Sequence, residues 1–210
     1  MTLYLDSALI DDARRAFALG FVGGVTTNPA LMAKTGRPPE EVIAALCEIC
    51  SGTVFHQLTT PTLAERNAEA RQFAALHPNV GLKIPCTLEN LSLAARLARD
   101  GVTVGITAIF SAAQVYLACE AGARYILPYV NRSTRLLGDG LALVREMRAV
   151  IDARHAPVEI IAASIKSPEE AVATVLAGAH HLTLPLSVIE AMGAHPLSEQ
   201  AVEEFAKASQ

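Results

Sequence analysis

The chain carries no excess of positive charge: 17 Lys and Arg stand against 21 Asp and Glu, a formal net charge of −4 at pH 7. A nucleic-acid binder shows a basic footprint, so no nucleic acid is expected as a partner. No apolar run approaches the roughly 20 residues of a helical membrane span, so no membrane partner is expected either. Residues 1–6, Met-Thr-Leu-Tyr-Leu-Asp, lack a basic opening and reach a carboxylate too early for a secretion signal. The expectation is a soluble, cytoplasmic protein. Cysteine is scarce, at Cys47, Cys50, Cys86 and Cys119 only. Cys47 and Cys50 form a C-x-x-C, but inside a helical pattern and without a second pair to complete a zinc site. They read as two small residues on a helix. The six histidines show no ligand spacing such as H-E-x-x-H. Neither a metal nor a cofactor is expected. No G-x-G-x-x-G follows the first strand-like run, which disfavours an open dinucleotide-binding sheet. No stretch rich in Pro, Gly or Ser marks a domain boundary.

What is present is a globular composition, 51% apolar and 18% charged over 210 residues, enough for one domain with a large core. Short apolar runs read as strands at residues 2–6, 22–25, 53–58, 80–85, 102–107, 124–130, 158–163 and 181–186. Helical patterns follow them, over 7–19 with Ser7 as cap, from 38 onward, and over 60–76, 89–99, 111–121, 141–153 and 167–178. Two short helices finish the chain. Strict alternation of this kind makes a parallel sheet covered by helices. Eight units in this length predict a single (β/α)8 TIM barrel spanning residues 1–210.

One lysine, Lys83, sits inside the apolar run Val80-Gly81-Leu82-Lys83-Ile84-Pro85. Lysine is almost never buried without a reason, and burial lowers its pKa. A neutral amine attacks carbonyls and forms an imine, an electron sink through which a neighbouring C–C bond breaks or forms. Around it, Asp6, Asn28, Gln57, Thr107, Tyr129 and Ser164 fall at the ends of other strands in turn. In a barrel those ends build the active site. A tyrosine or carboxylate can shuttle protons, and Asp6 and Asn28 can orient a polyol. Arg132 and Lys166 follow neighbouring strands and, with Ser164 and backbone N–H groups, make an anion site.

On these residues the chain resembles the small transaldolase family, and within it the bacterial fructose-6-phosphate aldolase type. The resemblance spans nearly the whole chain and rests on residues 3–6 (L-Y-L-D), 24–29 (G-V-T-T-N-P), 82–85 (L-K-I-P), 128–132 (P-Y-V-N-R), 163–166 (A-S-I-K) and 183–186 (T-L-P-L). It implies a Schiff base on Lys83, donor hydroxyls held by Asp6 and Asn28 with Thr26 beside them, and a phosphate on Arg132, Ser164 and Lys166. It also implies sugar phosphate and small-ketone substrates. Transaldolases of this family pair a glutamate at the end of the third strand with a phenylalanine after the sixth. The aldolases have glutamine and tyrosine, as here in Gln57 and Tyr129, with the strand-five threonine at Thr107. Glutamine accepts no proton at neutral pH, whereas a phenol exchanges one through water. The expectation is therefore a class I aldolase that cleaves fructose 6-phosphate or a similar ketose phosphate, with a transaldolase as the alternative. Gly105 replaces the asparagine of transaldolases, again disfavouring transfer. Leu127 stands where a small residue is usual and is expected to crowd the C1 end of the donor. The resemblance implies a homo-oligomer, pentamer or decamer, whose last helix reaches a neighbouring subunit. The short tail, residues 205–210, weakens that expectation.

Overall fold

A computed structural model describes residues 1–209. Eight parallel strands close into a barrel: β1 (Leu3–Asp6), β2 (Val22–Thr26), β3 (Val54–Gln57), β4 (Val80–Pro85), β5 (Val104–Thr107), β6 (Tyr125–Leu127), β7 (Glu159–Ala162) and β8 (His181–Leu184). Each pairs with the next in sequence, and β8 closes on β1. Helices α1 (Ile10–Ala18), α2 (Pro29–Ala33), α3 (Pro39–Ile49), α4 (Leu63–Ala74), α5 (Leu88–Arg99), α6 (Ala112–Glu120), α7 (Val130–Leu137), α8 (Gly140–Arg154), α9 (Pro168–Leu176), α10 (Leu186–Gly193) and α11 (Pro196–Ala208) connect or follow them. The TIM barrel is as expected. Among the described residues no helix is long and apolar enough to cross a membrane.

Caps define most helix starts. Thr62 closes a capping box with Glu65 at α4, and Thr87, Ser111 and Ser167 accept from the third backbone N–H of their helices. Ser7 does not cap α1 as anticipated. Its hydroxyl accepts from Leu9 N–H and donates to Asp12, and the helix begins at Ile10.

Apolar side chains form two layers. The larger lies between strands and helices and takes in Leu82, Ile84, Ile106, Ile126 and Ile160. A smaller cluster of Tyr4, Phe55, Leu127 and Ile161, with Tyr125 against it, fills the barrel interior. Side chains alternate between these layers along each strand. In β4 the interior set therefore includes Gly81, Lys83 and Pro85, while Leu82 and Ile84 face the helices.

Two differences from the sequence reading affect the site. β6 stops at Leu127, because Pro128 has no N–H for the ladder. Tyr129 keeps one bridge to Ala163 and then becomes the N-cap residue of α7. Arg132 accordingly lies on the first turn of a helix, not in a loop.

Candidate active site

Lys83 is 2% exposed, one of the largest fully buried side chains in the molecule. Register places it between Gln57 of β3 and Gly105 of β5. Desolvation lowers its pKa from 10.5 to about 8, against an opposing pull from the Asp6 charge. Near neutrality a useful fraction of this amine is unprotonated and nucleophilic.

Asp6 ends β1. Its pKa is raised by burial, while Lys83, a hydrogen bond from Thr26 and Lys166 pull it down. Thr26 Oγ1 lies 2.9 Å from Asp6 Oδ1 and 2.7 Å from Thr183 Oγ1. Thr26 has one proton and gives it to Asp6, so Thr183 donates to Thr26. This buried relay fixes the orientation of the carboxylate. Thr183 is a residue the sequence reading did not single out. It appeared there only as the first residue of the 183–186 (T-L-P-L) segment, with no role given to it.

Asn28 is the N-cap of α2, and its Oδ1 accepts from Leu31 N–H at 3.0 Å. That bond fixes the amide orientation and leaves Nδ2 as a donor. Gln57 Oε1 is buried with no hydrogen-bond partner among the described residues. Thr107 donates to the Leu127 carbonyl at 3.2 Å. Burial raises the Tyr129 pKa, while a hydrogen bond with Thr107 and the Arg132 guanidinium draw it back. The guanidinium stacks 4.7 Å from the Tyr129 ring centroid.

These groups meet in one cavity of about 550 Å³, lined by Asp6, Asn28, Gln57, Lys83, Tyr129, Arg132, Ser164 and Lys166, among others. Eight candidates thus share one space at the C-terminal end of the barrel. Lys34 on the α2 side also lines it. Thr26 and Thr107 are fully buried behind the wall; Thr26 is hydrogen-bonded to the lining residue Asp6, and Thr107 to the Leu127 carbonyl. Ser164 holds a left-handed backbone, φ 62°, which turns the chain after β7.

Leu127 does not line this cavity. It is fully buried in the interior cluster with Tyr4, Phe55 and Ile161. A Cβ placed on Gly105 would come within 2.6 Å of Leu127 Cδ1. The leucine occupies the volume that glycine leaves open, so the expected crowding of the donor end is not found. Two departures from the family pattern become one complementary pair.

A second cavity of about 610 Å³ opens among α2, α3, β3 and α4 and shares only Asn28 and Gln57, among the site residues, with the first. His56 and Glu69 line it, paired at 2.9 Å. Burial raises the Glu69 pKa, but hydrogen bonds from His56, Thr59 and Thr60 hold it at about 2. This cavity contains no lysine, and the His56–Glu69 hydrogen bond ties β3 to α4. Among the described residues no group of three His, Cys, Asp or Glu is placed to hold a metal ion.

The chain matches the family described as Transaldolase/Fructose-6-phosphate aldolase over residues 3–210. A "Probable transaldolase" of Heliobacterium modesticaldum is 41% identical over 207 residues, 99% of this chain and 96% of that protein. One of Pelotomaculum thermopropionicum is 38% identical over 98% and 95% of the two chains. A "Probable transaldolase 1" of Listeria monocytogenes is 37% identical over 98% and 96%. These names match the expectation at the level of the family, and they favour its alternative, the transaldolase, over the fructose-6-phosphate aldolase type. Among solved structures, a mandelate oxidase variant superposes with a TM-score of 0.62 at 16% identity, over 86% of this chain and 60% of that one. That likeness is one of barrel fold.

Proposed function

Because this chain belongs to the transaldolase/fructose-6-phosphate aldolase family, we propose that Lys83 forms a Schiff base with a ketose phosphate and that the enzyme moves the resulting donor unit to an aldehyde acceptor. The observation that carries this reading is a fully buried amine with its pKa lowered to about 8, facing a cavity that also holds Asp6 and three anion-binding side chains. The neutral Nζ adds to the ketone carbonyl, and loss of water gives the protonated imine. The hydroxyl on the carbon beyond the scissile bond gives up its proton, and the C–C bond breaks. Its electrons pass into the imine as an enamine, and an aldehyde leaves. Tyr129, backed by Thr107, handles protons through a water. Asp6, Asn28 and Gln57 hold donor hydroxyls, and Arg132, Ser164 and Lys166 hold the phosphate. Transfer is completed when the enamine attacks a second aldehyde. The names of the relatives support that ending.

Gln57 and Tyr129 support a second ending, in which the enamine is protonated and water releases the free ketone. A carboxamide cannot act as base, whereas a phenol lining the cavity can exchange a proton through water. This is the aldolase reading. Incubating the purified protein with fructose 6-phosphate separates the two. Dihydroxyacetone released without any acceptor indicates the aldolase; turnover only with an added aldose phosphate, and no free ketone, indicates the transaldolase. No turnover under either condition refutes both. We further propose one barrel domain over residues 1–210 assembled as a pentamer or decamer. Helix α11 supports this, burying none of its residues and exposing Leu197, Val202 and Phe205.

A further inference from the structure

Arg132 and Lys166 reach the cavity from two different segments, the start of α7 and the β7–α9 loop. Their spacing depends on how those segments are joined. The backbone supplies two bonds: Val130 N–H donates to the Ala163 carbonyl at 2.9 Å, and Asn131 N–H to the Ser164 carbonyl at 3.1 Å. A third connection comes from one carboxylate. Glu170 Oε2 accepts from Lys166 N–H at 2.7 Å, and Glu170 Oε1 accepts from Asn131 Nδ2 at 3.2 Å.

Glu170 is the third residue of α9, and Ser167 caps its N–H at 3.2 Å. An acid at this position ordinarily reaches back to the cap residue's own N–H. Here it reaches one residue further, past the cap, to the residue whose ammonium lines the cavity. The loop it ties down contains Ser164 in a left-handed conformation, which a serine holds only when its surroundings impose it.

We propose that Glu170 is a positioning residue that clasps the Ser164–Lys166 loop to α7 and so sets the spacing of the three anion-binding side chains. The class of ligand whose affinity it governs is the phosphate end of an aldose or ketose phosphate. This rests on the reading of Arg132, Ser164 and Lys166 as the phosphate-holding group. Glu170 touches no substrate. Its effect falls mainly on binding of the charged end, because Lys83 and Asp6 stand on β4 and β1, away from the clasp.

The test compares glyceraldehyde 3-phosphate with unphosphorylated glyceraldehyde as acceptor, for the wild-type protein and for Glu170→Ala and Glu170→Gln. Inorganic phosphate serves as a competitive inhibitor. Glu170→Ala is expected to raise the KM for the phosphorylated acceptor about tenfold more than that for glyceraldehyde, and to weaken phosphate inhibition by a similar factor, the scale of one charge-assisted bond lost. kcat for the phosphorylated acceptor should move much less. Glu170→Gln keeps an acceptor for Lys166 N–H and should recover most of the loss. If Glu170→Ala fails to fold, Asn131→Ala removes the other half of the clasp and should give a shift in the same direction. Equal rises for both acceptors, or a preference that survives intact, overturn the proposal alone. A wild-type protein with no preference for the phosphorylated acceptor and no inhibition by phosphate overturns the anion-site reading and the proposal with it.

Discussion

Replacing Lys83 by methionine should make the protein more stable while abolishing its chemistry. Methionine fits the slot because it is unbranched and apolar. The magnitude follows from the lysine's fall from 10.5 to about 8 on folding. A lowered pKa means the folded state resists a proton that the unfolded state accepts, a penalty of roughly 3 kcal/mol. It applies in full below pH 8 and is gone above about 10.5, where both states are neutral. The attraction of the Asp6 charge is already contained in that penalty, since it opposes desolvation on the same lysine; the repacking that methionine requires in the slot offsets on the order of 1 kcal/mol or more. The net expectation near pH 7 is a gain of about 1–2 kcal/mol, or roughly 3–8 °C in Tm for a chain this long. Thermal unfolding of both proteins from pH 6 to 10 measures it. The difference should shrink as pH climbs past 8, because the wild-type lysine sheds its proton. A variant less stable than wild type at pH 7, or a difference that stays flat across the range, refutes the reasoning.

Tyr129→Phe should depress release of free ketone far more than transfer between aldehydes, because only release needs a proton delivered to the enamine; equal losses in a product assay count against the role given to the phenol. Gly105→Ala should cost about 1–3 kcal/mol by overpacking against Leu127 and Phe55, whose side-chain atoms a Cβ would meet at 2.6 and 3.2 Å. Combined with Leu127→Ala it should cost clearly less than the two single changes together, as read by denaturant unfolding. Additivity within about 0.5 kcal/mol would mean that the two positions are not a volume pair.

Much of the barrel was legible because its signals are local. The fourth strand runs from Val80 to Pro85 in the sequence reading and in the structure alike, since one apolar run bounded by turn residues admits little else. Asp6, Gln57 and Lys83 could be placed because each interrupts or ends such a run. The short helix α2 was missed, since five residues give no period to read. Helix α7 was missed because its strongly polar face resembles a loop. Tyr129 reads as strand from its apolar neighbours, but Pro128 ends the ladder before it. Leu127 was misplaced because its surroundings depend on which residue lies beside it in the next strand, and register is not a local property. Thr183 and Glu170 stayed hidden for similar reasons. The partner of Thr183 lies 157 residues away, and Glu170 sits in a motif that a helix start explains without further assumption.

The central claim is that Lys83, and no other amine, forms the covalent bond to the donor. Borohydride reduction of the purified protein with dihydroxyacetone, followed by peptide mass spectrometry, tests it. Lys34 and Lys166 line the same cavity but are exposed, so they serve as internal controls. The account predicts a reduced adduct on the peptide containing Lys83, none on those containing Lys34, Lys166 or Lys207, and none in Lys83→Met. A folded protein that yields no adduct, or one modified at another lysine, contradicts it.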